Sequence, residues 1–247
     1  MKRGLLRTVL PNVAGVVAFL ALWTLVAWLK NDKLFLVSPY DVGRAFVDAA
    51  STSAYWQAWR VSMTEYGGGM AIAIVGGTAL GVVLGLVPWL RKAFDPLLAA
   101  GTATPSVALA PLFILWFGTG LSAKVAIVCF VACWPIIVGT LTGIANVEPA
   151  YTEVARAFHA SRARTILTVL IPAALPAIVG GLRVAAGVGL VGVIIGEFFG
   201  SNAGLGFEIL NATNSFNLAG LLLGVISLAV VGIIVTTALR AVEARLR

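Results

Sequence analysis

Side chains able to do chemistry are sparse in this sequence, and one segment holds a large share of them. Between residues 148 and 172 stand Glu153, Arg156, His159, Arg162 and Arg164, interleaved with Val154, Ala155 and Phe158 and closed by Pro172. Pro149 suits a first helical turn, where a missing N–H leaves nothing unpaired, and good helix formers follow it. The pattern predicts a short amphipathic helix in a loop between two apolar runs, in which Ala155, Phe158 and Ala163 mix with Arg156, Arg162 and Arg164. His159 is the only histidine. A single imidazole in a polar loop is read as solvated or locally bonded, with no metal or acid–base role.

The other candidates are ionisable groups tied to apolar runs. Arg183 and Glu197 belong to one such run, and an ionisable residue at membrane depth faces a cavity or a partner. They stand too far apart for an ion pair within one helix, where partners lie three or four residues apart. Glu197 could equally cap the outer helix end in water. Cys129 and Cys133 are one helical turn apart but lack further ligands nearby, so they are read as packing residues with no metal site. The stretch Gly118-Thr-Gly-Leu-Ser-Ala-Lys124 has the wrong spacing for a phosphate loop. No Ser/His/Asp set or carboxylate pair is apparent in the apolar runs, so the chain is not expected to be an enzyme.

The elements that position these residues follow from composition. Of 247 residues, 60% are hydrophobic and 11% charged, with mean hydropathy +1.01. A soluble domain cannot hide that much apolar surface, whereas a bilayer can. Six runs long enough to cross it lie at 11–29, 67–90, 97–117, 121–144, 174–196 and 218–239. They must be helices, because backbone groups in lipid have to be satisfied internally. The first run is long for a signal-peptide core and is read as a retained helix.

The net charge of +7 fits basic cytoplasmic loops and not nucleic-acid binding. Lys2, Arg3 and Arg7, then Arg91 and Lys92, then Arg156, Arg162 and Arg164, then Arg240, Arg245 and Arg247 all fall on one side if both termini are cytoplasmic. The opposite choice leaves Lys30, Lys33, Arg44, Arg60 and Lys124 there, with Arg183 inside a span.

Local signals refine this all-α polytopic picture. Ser38-Pro39 suits a helix start, and an amphipathic helix is predicted from there through Trp59, lying on the outer surface with Tyr55, Trp56 and Trp59 at the interface. Pro105 and Pro111 should kink or break the third span. Residues 196–217 are too polar to span and are expected to form an outer loop or re-entrant turn. Gly77, Gly81 and Gly85, and again Gly192, Gly196 and Gly200, form four-residue ladders that favour close helix packing over lining a pathway. No internal duplication is evident, so a pathway is expected between two chains.

The 148–172 loop resembles the EAA motif of permease subunits of binding-protein-dependent ABC importers. Glu153, Val154 and Ala155 stand at its start, His159 at its glycine position, and Val169, Leu170, Ile171 and Pro172 at its close. Val154 replaces the first alanine. His159 replaces a glycine whose positive φ histidine accepts less readily. The resemblance extends over most of the chain from residue 37. It includes Val37-Ser38-Pro39, Thr104-Pro105-Ser106, the stretch from Pro111 through Trp116-Phe-Gly-Thr-Gly120, Pro176, Gly181-Leu-Arg183, Glu197 and Gly204-Leu-Gly206. It is similar above all to the sulfonate, taurine and nitrate branch, which carries arginine where Glu65 stands.

The resemblance implies a type I importer permease fold of six spans in a single domain, 1–247, with an extra N-terminal helix at 1–36, a five-helix core at 60–242 and a coupling loop at 148–172. It implies a bacterial inner-membrane dimer working with two ATPase subunits and an extracytoplasmic solute-binding protein. No cofactor is expected in this chain, since ATP and Mg would be held by the ATPases. Glu153, Val154, Ala155, Arg156, Phe158, His159 and Pro172 would couple to the ATPase. Pro105, Pro111, Trp116, Arg183 and Glu197 are the pathway or gate candidates. The solute implied is a small organic anion such as a sulfonate, or nitrate. The alternative, an ion-coupled secondary carrier, would place carboxylates within the spans, and beyond Glu197 the runs show none.

Overall fold

The computed structural model describes residues 2–30 and 35–246, with side chains for 13–30 and 35–245. Lys33 and Arg247, used in the charge argument, lie outside these residues, as do the side chains of Lys2, Arg3 and Arg7. The described chain is helical throughout. Its elements are α1 (Lys2–Lys30), α2 (Pro39–Ala50), α3 (Ser53–Leu86), α4 (Pro88–Ala103), α5 (Ser106–Phe117), α6 (Leu121–Ala145), α7 (Pro149–Ala157), α8 (Arg162–Thr165), α9 (Ile171–Gly200), α10 (Leu205–Asn214) and α11 (Leu218–Leu246). A π-helical turn, Ile166–Leu170, joins α8 to α9.

Five stretches are long and apolar enough to cross a membrane: Val13–Lys30, Ser53–Leu86, Leu121–Ala145, Arg162–Gly200 and Leu218–Arg245. The sixth is α4 with α5, bent by 97°. The bend falls at Thr104-Pro105, because a residue before proline is pushed out of the helical region and Thr104 is extended at ψ 126. Pro111 stays inside α5 without breaking it. The third span thus starts at Pro88, earlier than the apolar run indicates, and its break belongs to Pro105 alone.

One other expectation needs correction. The surface helix does not run through Trp59. It stops at Ala50, and Thr52 starts a new helix by accepting a hydrogen bond from Tyr55 N at 3.4 Å. Tyr55, Trp56 and Trp59 therefore ride on α3. With 34 residues, α3 is roughly 51 Å long at 1.5 Å per residue, well beyond a hydrocarbon core of about 30 Å. Its excess first turns carry polar and aromatic groups. The 196–217 segment, expected as an outer loop or re-entrant turn, holds the last turn of α9 and the short helix α10.

The core is α6 packed between α3 and α9. Both glycine ladders serve that packing. A Cβ on Gly77 would meet Ile136, on Gly81 Thr140, and on Gly85 Ile144, so α3 and α6 run parallel, advancing four residues at a time together. Gly192 lies against Val128 and Gly196 against Lys124, so α9 runs antiparallel to α6. The tightest crossing is at Gly139 and Gly181, where a Cβ on Gly139 would stand 2.8 Å from Gly181 Cα. No side chain fits between those backbones.

Candidate functional site

Two groups of functional side chains lie at opposite ends of α6, which at 25 residues is roughly 37 Å long. At its C-terminal end, Pro149 opens α7 at the first helical position. The helix closes with a pair of reverse hydrogen bonds, His159 N to Arg156 O at 2.9 Å and Ala160 N to Ala155 O at 3.0 Å. This closure needs a left-handed residue just past the helix end, and His159 supplies it with φ 52. Histidine thus takes the conformation that the glycine position calls for. Ser161 then caps α8 by accepting from Arg164 N at 3.3 Å.

Most of the predicted coupling residues are presented outward. Glu153, Val154, Arg156 and His159 are exposed, and Phe158 is 81% exposed. Ala155 is the exception: it is buried against the chain's own body and anchors α7 from beneath. Pro172 lies in the first turn of α9. It has no N–H to donate, and just before it the helix widens, with Ile171 N donating to Ile166 O.

The pathway candidates do not come together. Pro105 marks the bend; Pro111 and Trp116 lie on α5, where Trp116 is exposed and touches Phe113 ring to ring at 6.1 Å. Arg183 reaches across to α11, where Nη1 donates to Glu243 Oε2 at 2.9 Å. Glu197 is 0% exposed, so it does not cap the helix in water. Its Oε1 accepts from Ser62 Oγ at 2.5 Å, and its Oε2 accepts from Gly206 N and from Phe207 N at 3.2 Å. Those amides open α10, so Glu197 caps α10 from the neighbouring helix, where its charge suits the positive end of the helix dipole. Gly204, at φ 126, makes this possible, because a Cβ there would collide with the Glu197 carboxyl group.

The rest of this end was not legible as a site from the sequence. Glu65, 1% exposed on α3, forms an ion pair with Lys124 on α6, Oε1 to Nζ at 3.1 Å. Lys124 also donates to Ser201 Oγ at 2.8 Å. Ser62 accepts from Leu205 N at 2.8 Å while donating to Glu197. A second carboxylate therefore does lie buried in α3, contrary to the expectation that Glu197 stands alone. The overlooked signal is phase. Glu65 falls four residues before Gly69, on the same ladder that continues through Gly77, Gly81 and Gly85. A side chain on that ladder must face α6, and Lys124 holds the matching place there, four residues before Val128.

Among the described residues no group of three or more His, Cys, Asp or Glu could hold a metal ion.

Residues 73–247 match the family described as binding-protein-dependent transport system inner membrane component. The taurine transport system permease protein TauC of Escherichia coli is 29% identical over 246 residues, 97% of this chain and 90% of that one. The riboflavin transport system permease protein RibX of Chloroflexus aurantiacus is 32% identical over 213 residues, 86% of this chain and 80% of that one. A putative aliphatic sulfonates transport permease protein, SsuC of Escherichia coli, is 31% identical over 218 residues, 88% and 82% of the two chains. Among solved structures, the MetNI methionine ABC transporter in an inward-facing conformation superposes with TM-score 0.67 at 17% identity, covering 78% of this chain and 96% of that one. The fold is that of a type I importer permease.

Proposed function

The chain belongs to the binding-protein-dependent transport system inner membrane component family and is a multi-pass, non-catalytic permease subunit of an ABC importer; from that premise we propose that two copies form the pathway and that α7 couples them to ATPase subunits. Each α7 sits in a groove of one ATPase, with Phe158 as its apolar anchor and Glu153 as its charged contact. ATP and Mg are held by the ATPases. ATP-driven closure draws the two α7 helices together and rocks the spans between outward- and inward-open states. Both termini and α7 face the cytoplasm of the inner membrane, and a solute-binding protein delivers cargo at the opposite face. The cargo is a small anion, a sulfonate or nitrate, in keeping with the relatives named for taurine and aliphatic sulfonates.

The observation that carries this reading is the 81% exposure of Phe158 at the end of a helix whose own turn is fully hydrogen-bonded. A large aromatic held rigidly in water is a docking anchor awaiting its groove. Glu153→Lys with Phe158→Ala is expected to abolish co-purification of the ATPase and uptake together, with the permease still inserted. Unchanged co-purification would overturn the docking assignment. Uptake that persists without ATP would favour the alternative, an ion-coupled carrier.

A further inference from the structure

We propose that a recess at the Lys124 end of the bundle is an oxyanion subsite for the transported solute, formed by Lys124, Thr119 and Asn202 against a wall of Phe198 and Phe199. The proposal rests on the anionic-solute reading above. The recess has a volume of about 600 Å³ and includes Ser201 in its lining, a size suited to a small ligand.

The donor inventory carries the argument. A lysine ammonium has three N–H groups. One meets Glu65 at 3.1 Å and one meets Ser201 Oγ at 2.8 Å, which leaves the third for the recess that Lys124 lines. The two committed bonds also fix the ammonium in place, so an arriving anion does not have to order a free lysine. The Thr119 hydroxyl and the Asn202 amide make no hydrogen bond to other described residues. Three uncommitted donors thus line one recess. A sulfonate or nitrate carries three oxygens to accept from them, and Phe198 and Phe199, both exposed, offer an apolar surface to an organic tail.

Two carboxylates stand nearby. Glu197 is turned toward Ser62 and the α10 amides, and Glu65 meets Lys124 through Oε1 while its buried Oε2 has no hydrogen-bond partner among the described residues. The remaining cavities suit an anion poorly. The one between α2, α10 and α11 carries Asp41, Asp48 and Glu208 against a single cation, Arg44. The one between α3, α4 and α6 is walled by apolar side chains such as Leu97, Phe130 and Trp134. The Gly118–Lys124 stretch, whose spacing excludes a nucleotide loop, contributes two of the three donors.

The test uses the whole transporter, this chain with its ATPase and solute-binding protein, in proteoliposomes with taurine and nitrate as probes. Asn202→Asp places a negative charge in the recess without touching the Lys124–Glu65 bridge. It is expected to lower uptake at saturating binding protein by at least about tenfold, since a like charge repels the arriving anion. Thr119→Val is expected to lose roughly threefold, one neutral hydrogen bond's worth, and Asn202→Lys to retain uptake. If the wild-type transporter carries an anion and both Asn202→Asp and Thr119→Val leave its uptake intact, the subsite is overturned and the anionic reading stands. Equal losses for Asn202→Asp and Asn202→Lys would mark a structural effect and also overturn it. If the wild type carries neither probe nor any other sulfonate, the anionic reading itself falls and takes the subsite with it.

Discussion

The two ends of α6 use polar residues in opposite ways. At the Lys124 end, four buried side chains join four elements in two sets: Ser62 and Glu197 link α3, α9 and the start of α10, and Glu65 with Lys124 links α3 to α6. At the α7 end, Glu153, Arg156 and His159 are exposed and Phe158 projects into solvent. One end ties helices into a single body. The other closes its helix mainly with backbone bonds and leaves its charged and aromatic side chains exposed.

Substitutions can break or sharpen that contrast, measured as unfolding free energy of the purified permease in detergent. Glu197→Ala has the largest expected effect. It strips the acceptor from Ser62 and from two α10 amides in a buried site, at a cost of about 3 kcal/mol. Loss below about 0.5 kcal/mol, the range of ordinary surface changes, would mean the cluster does not bind the helices together. Gly181→Ala comes next. Its Cβ would stand 2.7 Å from Pro135 O, and overpacking of that kind costs about 2 kcal/mol; a neutral result would show that α6 and α9 can part without loss.

At the α7 end the expected changes are smaller. His159→Gly is expected to stabilise the loop by about 1 kcal/mol, since it relieves a left-handed conformation that an L side chain resists, and hydrogen exchange of Ala160 should slow accordingly. Faster exchange would show that the imidazole itself holds the turn. Phe158→Ala is expected to change stability by less than about 0.5 kcal/mol even as it removes the proposed anchor. A larger loss would place Phe158 in the permease's own packing and erase the difference between the two ends.

The helix at the α7 end was largely legible in the sequence. Pro149 and the charge of the segment are local, and α7 closes on its own hydrogen bonds. That Ala155 faces the chain's own body was not legible, because which side of a short helix rests on the body is decided by that body. The buried end was mostly hidden. Glu65 was visible only as a departure from the branch pattern, and Lys124 only as part of a failed phosphate loop.

By itself the sequence determined the bilayer as solvent, helices as the spanning elements, a proline break in the third span and the short helix opened by Pro149, because apolar run length and proline act over a few residues. Only the tertiary structure decided which charges meet. Ser62 and Glu197 are 135 residues apart and Leu205 and Ser62 are 143 apart. Whether they touch depends on the register in which glycine ladders let α3 and α9 pack on α6. A shift of one helical turn would leave Glu65 facing a valine in place of Lys124, a buried carboxylate with no cation, at a cost that opposes the slip.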